Sequence, residues 1–182
     1  SPARGFPILH IEEDSMSIDP KELRNTMGKF ATGVTVVTAD NAGARRGMTA
    51  NAFSSLSLDP PMALVCVDNK ASFLGIIQGA KKFAINFLAE DQKSTSDWFA
   101  GKGRDAEDQF ADIANEAGEN GAPIISGALA TLECETHEEL SGGDHVIVVG
   151  RVTRIISSEA LRAPLLFYAG AYRKMDMDGT YE

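Results

Sequence analysis

Residues Arg45 to Pro61 read R-R-G-M-T-A-N-A-F-S-S-L-S-L-D-P-P, and the rest of the chain is organised around them. The stretch opens as a strand, gathers small hydroxyl and amide side chains at Thr49, Asn51, Ser54, Ser55 and Ser57, and stops at two consecutive prolines. A strand that only fills a core carries large branched residues inward, because burying each is worth roughly 1.5–3 kcal/mol. Small donors and acceptors do something else: they let backbone N–H and C=O groups approach a flat polar ligand. Two readings stand at this point, a ligand shelf or a Ser/Thr-rich edge strand with a solvated face.

Upstream, Val34-Thr35-Val36-Val37-Thr38 is β-branched throughout, and Asn41-Ala42-Gly43 supplies turn residues, so this strand pairs with the Arg45 strand as a hairpin. Before it, Asp19-Pro20-Lys21-Glu22 offers an N-cap, a proline at the first helical position and an acid at N3. Leu23, Met27 and Phe30 then give the short helix an apolar packing face, and Gly33 ends it. Residues 1–18 have no period and read as an N-terminal arm.

Downstream, Met62 to Val67 is a nearly continuous apolar strand ending in the polar loop Asp68-Asn69-Lys70-Ala71-Ser72. The loop opens a helix with Phe73, Ile76, Ile77 and Ala80 on one face. A Lys and a Ser at a helix N-terminus suit a phosphate, although the same residues also make a plain helix cap. Phe83 to Leu88 is a strand with one amide, Asn86, which either ties neighbouring backbone or meets a ligand. Lys93 to Ala100 reads as helix, with Trp98 and Phe99 as core or as pocket wall. The acidic run from Gly101 to Gly121 looks like an insertion with a short helix over Asp105–Ala114. Strands follow at Ala128–Glu135 and Val146–Val152, then a last one over Pro164–Arg173, and a polar tail at 176–182.

These elements imply a mainly β protein with short helices, an antiparallel barrel or α+β arrangement rather than a doubly wound sheet. The 182 residues suit one domain, carry a net charge of −9 and are 43% hydrophobic. The negative charge disfavours nucleic acid, and no apolar run reaches the length of a membrane span, so neither partner is expected. Cys66 and Cys134 lie in separate apolar runs, which fits a reducing cytoplasm, and no metal-ligand spacing is present. Neither G-x-G-x-x-G nor a P-loop occurs. Of the three histidines, His145 is set apart by its place after Gly142-Gly143-Asp144 at the mouth of a buried strand.

Taken in order, M-T-A-N-A-F-S-S-L-S-L-D-P-P, F-A-I-N-F-L, G-G-D-H-V-I-V-V-G-R-V and P-L-L-F-Y-A-G-A-Y resemble the flavin reductase family, in particular the reductase component of two-component flavin-dependent monooxygenases. The resemblance covers about Asp19 to Arg173 and implies a reductase-like domain over 19–175. It further implies a flavin-binding split β-barrel of antiparallel Greek-key type, assembled as a homodimer. The implied activity is hydride transfer from NADH, with NADPH second, to free FAD or FMN. The reduced flavin then diffuses to a separate monooxygenase; a non-enzymatic flavin carrier on the same fold is the alternative.

By motif, Arg46, Gly47, Met48, Thr49, Asn51 and Ala52 are implied to lie along the flavin ring and ribityl chain. Val67, Asp68, Ser72 and Phe73 are implied at its ribityl and phosphate end. His145 is implied beside the nicotinamide, and Phe167, Tyr168, Ala169 and Gly170 in the nicotinamide nucleotide's seat. Many relatives have Ser where this chain has Ala52, so no side-chain hydrogen bond to flavin is available there.

Overall fold

The computed structural model describes residues 18–103 and 105–179. Most of the arm, and residues 180–182 of the tail, lie outside the described residues. Helix α1 (Pro20–Met27) starts as its sequence dictates, with the Asp19 carboxylate accepting the Lys21 N–H at 2.9 Å and Pro20 in the first turn. It ends at Gly28, five residues before the expected stop. Its apolar face is not a packing face: Leu23, Met27 and Phe30 are 44%, 66% and 78% exposed. No residue of the helix is buried, and the sequence period carries no information about whether a covering surface exists.

A short strand β1 (Thr32–Gly33) leads into the hairpin of β2 (Thr35–Asn41) and β3 (Ala44–Ala50). Its turn is Ala42-Gly43, both at positive φ, where the glycine is unstrained. The Arg45–Pro61 stretch is not one strand. It breaks at Asn51-Ala52 and resumes as β4 (Phe53–Leu58), turns through the cis Asp59–Pro60 bond, and returns as β5 (Pro61–Asp68). Helix α2 (Ser72–Ala80), β6 (Lys82–Phe87), the short helix α3 (Lys93–Asp97), β7 (Asn115–Ala117), β8 (Pro123–Ile125), β9 (Ala130–Gly142) and β10 (His145–Ser157) follow, then β11 (Leu166–Tyr168) and β12 (Ala171–Arg173).

The main sheet has seven strands in the order β3-β2-β6-β9-β10-β5-β4, every neighbouring pair antiparallel. Its two edges, β3 and β4, are consecutive in sequence. A flat sheet of this width would be roughly 29 Å across at about 4.8 Å per strand. The step from Ala50 to Phe53 reaches at most about 11 Å. The sheet therefore curls until its edges come near each other, yet no ladder joins β3 to β4 among the described residues. The observed class is mainly β, antiparallel, with short helices; the sheet is curled and open in its hydrogen bonding.

Alternation along β2 splits the interior in two. Val37 and Ala39 face a cluster closed by Phe73 and Ile77 of α2 with Val65, Val67, Phe83, Ile85 and Val148. Val34 and Val36 face Leu88, Phe99, Phe110, Ile125 and Leu165. Asn86, wholly buried, is a staple between these layers: its amide donates to Val36 O at 3.0 Å and Thr38 Oγ1 at 3.3 Å, and its oxygen accepts from Ile125 N and Thr131 Oγ1, each at 3.0 Å. The backbone-tying reading of Asn86 holds.

Three further expectations are corrected. Residues 105–114 form turns, not a helix. Phe110 is buried against Phe99 with ring centroids 5.2 Å apart, and the Asp108 carboxylate takes the Phe110 N–H at 2.9 Å and the Arg45 guanidinium at 2.6 Å. Those partners replace helical hydrogen bonds. Pro164–Arg173 is a hairpin, because Ala169 and Gly170 both take positive φ between β11 and β12. Strand β9 continues past Glu135 to Gly142, its polar half paired along β10.

Candidate functional site

A cleft of about 490 Å³ opens where the β3 edge, the β5–α2 loop and the Phe99–Gly101 turn meet. Gly47 forms its floor. A Cβ there would lie 2.7 Å from the Phe99 ring, so only glycine lets that ring close the wall against β3. The Gly47 N–H points away from β2 and is accepted by Gln109 Oε1 at 2.9 Å. By the alternation of an antiparallel ladder, the Thr49 backbone faces the same outward direction. The Thr49 hydroxyl is already committed, donating to Ser96 O at 2.6 Å. What Thr49 offers the cleft is its backbone rather than its hydroxyl.

The far end of the cleft is polar. The N-cap of α2 is Ala71, with no side-chain cap, so Ser72 is not the plain helix cap that its position allowed. The first N–H groups of the helix, Ser72 and Phe73, have no intrahelical acceptor. Lys70 and Ser72 stand beside them in the cleft lining, and Lys70 makes no ion pair among the described residues. Asp68 shapes the loop by accepting the Lys70 N–H at 2.7 Å. This donor set suits an anion.

His145 opens β10 directly opposite Asp68 in the β5 ladder. Its Nδ1 lies 2.7 Å from Asp144 Oδ1, and the hydrogen bond from that ring, with its charge, holds the Asp144 carboxyl below its usual range. Asn69 binds the two loops together: its N–H donates to Asp144 O at 2.9 Å and its amide to Gly143 O at 3.3 Å. The imidazole thus stands on the turn that is bolted to the polar end of the cleft. Burial pushes the thiol of Cys66 up, and that of Cys134 to about 12 with help from the neighbouring Glu133, so neither is an activated nucleophile. Among the described residues no cluster could hold a metal ion.

Of the residues singled out from sequence, Gly47, Met48, Thr49, Asp68, Ser72 and Phe73 line this cleft together. Others do not. Arg46 reaches the Arg45 and Glu107 carbonyls at 3.3 and 3.2 Å, and Val67 is wholly buried in the core. Asn51 lines a second, mostly apolar hollow of about 430 Å³ with Phe30, Thr32 and Phe53, while Ala52 uses its carbonyl to accept the Cys66 N–H. Phe167, Tyr168, Ala169 and Gly170 form the β11–β12 hairpin beside α1, where Ala169 N–H donates to Gly28 O at 2.7 Å; they are not in the cleft lining.

The sequence carries no sign of Ala100, Gly101 and Gln109 as lining residues, and it allows Phe99 to be either core or wall. Phe99 is both: 4% exposed, in the second interior cluster and against the cleft. Gln109 carries no sequence signal, since it reaches the cleft only through the turns that replace the expected helix.

The family described as flavin reductase like domain matches residues 27–176. A probable flavin reductase of Rhizobium meliloti is 48% identical over 77% of this chain and 44% of its own length. The stachydrine N-demethylase reductase subunit of the same organism is 48% identical over 77% of this chain and 60% of its own length, so the chain spans about half the length of these relatives. The reductase component of 4-hydroxyphenylacetate 3-monooxygenase from Thermus thermophilus is 39% identical over 84% of this chain and 94% of its own. Among solved structures, the flavin reductase PheA2 has a TM-score of 0.79 at 44% identity, covering 88% of this chain and all of that one. An NADH:FAD oxidoreductase of Streptomyces globisporus, solved with NAD and FAD fragments, has a TM-score of 0.83 at 39% identity, covering 91% of this chain and 100% of that one. The family match over residues 27–176, with relatives 39–48% identical across most of the chain, places this chain in the flavin reductase-like domain family.

Proposed function

We propose that this chain is an NADH-dependent flavin reductase that reduces free FAD, with FMN as the second choice, and passes reduced flavin to a separate monooxygenase. The observation that carries the reading is the meeting of Gly47, Met48 and Thr49 with Asp68, Ser72 and Phe73 around one cleft. Its residues fit a flavin nucleotide: a narrow wall under Phe99 for a flat ring, and free N–H groups with Lys70 and Ser72 for a phosphate. The family membership and the relatives named as monooxygenase reductase components support the same reading. On it, the curled sheet is a split barrel, the domain runs over 19–175, and two copies form a cytoplasmic dimer. No helix among the described residues is long and apolar enough to cross a membrane.

When bound, a flavin would supply the hydride-accepting chemistry, and hydride transfer from a nicotinamide would need no general base from the chain. The chain's work is placement and electrostatics. The Thr49 backbone, held by the Ser96 bond, offers a fixed dipole to negative charge growing on the ring. Lys70 and the α2 N-terminus anchor the anionic end, and His145 orients the nicotinamide nucleotide from the turn joined to it by Asn69. His145→Ala is expected to raise KM for NADH severalfold while kcat falls less; near-complete loss of turnover at saturating NADH contradicts that role.

Steady-state nicotinamide oxidation with FAD or FMN, against NADH and NADPH, tests the whole reading. Turnover saturating in both substrates supports the reductase, and the four combinations rank the cofactors. Flavin binding without oxidation identifies a carrier instead.

A further inference from the structure

We propose that Gln109 is a positioning residue for the flavin, setting the width of the cleft and ending the row of backbone donors on β3; the proposal rests on the flavin-reductase reading above. Gln109 is 4% exposed and lines the cleft, yet both ends of its amide are spent inside the protein. Oε1 accepts the Gly47 N–H at 2.9 Å, and Nε2 donates to Gly103 O at 3.2 Å. These bonds join the two walls directly: the β3 edge on one side and the turn carrying Phe99, Ala100 and Gly101 on the other.

The same residue is held from behind. Its carbonyl accepts the Trp98 indole N–H at 2.9 Å, and the Trp98 ring fills the space where a Cβ on Gly103 would stand, 2.3 Å away. Asp108, the residue before it in the chain, is paired to Arg45 of β3 at 2.6 Å. A side chain with free torsions is thereby fixed at its root and at its tip. On an exposed edge strand both Gly47 and Thr49 would present an N–H to the cleft. Gln109 occupies the first and leaves the second, so a flat ring bound along β3 has one place for its polar edge. A side chain acting this way contributes to ground-state and transition-state binding alike, which alters KM and leaves kcat nearly unchanged.

The test uses the full chain with Gln109→Met, which keeps the volume and removes both bonds, and Gln109→Glu, which keeps the acceptor for Gly47. FAD affinity is read from quenching of Trp98, the one tryptophan in the sequence, alongside KM for FAD and kcat. For Gln109→Met the dissociation constant and KM are expected to rise about tenfold, with kcat at saturating FAD within about twofold of wild type. For Gln109→Glu, a rise of about threefold is expected. If Gln109→Met does not fold, Gln109→Glu decides on the same readouts. Unchanged affinity, a fall in kcat at unchanged KM, or tighter binding through a freed Gly47 N–H each overturn the proposal. A wild-type chain that binds no FAD overturns the functional reading itself, whereas wild-type binding with unaffected variants overturns only the role of Gln109.

Discussion

The strands β3 and β4 come from one run of sequence with similar small residues, and they end as opposite edges of one sheet with opposite fates. The β3 edge is covered: Phe99 rests on Gly47, Gln109 takes an outward N–H, and Thr49 is tied to Ser96. Among the described residues the β4 edge is uncovered, with Ser54, Ser55, Leu56 and Leu58 exposed and the Ser54 hydroxyl donating to the Ser55 carbonyl. The stretch divides: β4 is a solvated edge, and β3 lines the cleft on which the proposed ligand shelf rests. Residue type does not separate them; what packs over each edge does.

The contrast is broken most severely at Gly47. Gly47→Val forces a side chain into the Phe99 ring, and overpacking of this kind costs about 1–3 kcal/mol. Thermal unfolding should show that loss, together with FAD binding weakened more than tenfold; an unchanged melting curve would mean the Phe99 wall moves freely. Thr49→Val is gentler. It removes the bond to Ser96 O and leaves a buried carbonyl short of a partner, for about 1 kcal/mol of stability and a severalfold rise in KM for FAD. On the other edge, Ser55→Val should lie within about 0.5 kcal/mol of wild type in denaturant unfolding and leave FAD affinity unchanged. A Ser55 variant that disturbed FAD binding would make β4 part of the site.

The smallest effect is a titration. Strand β4 has no ionisable side chain, whereas the cleft side carries Asp144 against His145. The Asp144 value is depressed, so its ionised contact with the ring persists above that value and is lost as pH falls through it. A carboxyl NMR titration should give a midpoint under the ordinary 3.8, and Asp144→Asn should abolish any acid shift of His145 signals in that range. A midpoint at or above 3.8 would detach His145 from its partner.

Much of this architecture was legible in the residues. The cap at Asp19, the turn at Ala42-Gly43 and the β-branched β2 each rest on local chemistry that a sequence displays. The misses have a common cause, that a distant partner decided the outcome. Residues 105–114 abandon helix for Phe99 and Arg45, and Leu23 and Met27 keep a helical period yet stay exposed. The polar half of β9 pairs with β10 without burying an apolar face, so alternation gave no sign of it. In the site, the β3 and α2 contributions were visible because they are contiguous motifs; Gln109 enters from a loop whose path depends on the whole fold.

The two-residue passage through Asn51-Ala52 also bears on how the chain finds its fold. Because the two edges of the sheet are sequence neighbours, bringing them together requires almost no loop closure. Local hairpins, β2–β3, β4–β5 and β9–β10, can form early for the same reason. The distant pairings lie inside the sheet, where β2 meets β6, β6 meets β9 and β10 meets β5. Folding is then limited by the seam at the centre of the sheet, and its slowest step is expected to respond to substitutions such as Val67→Ala or Val148→Ala far more than to any change in the β3 edge that lines the cleft.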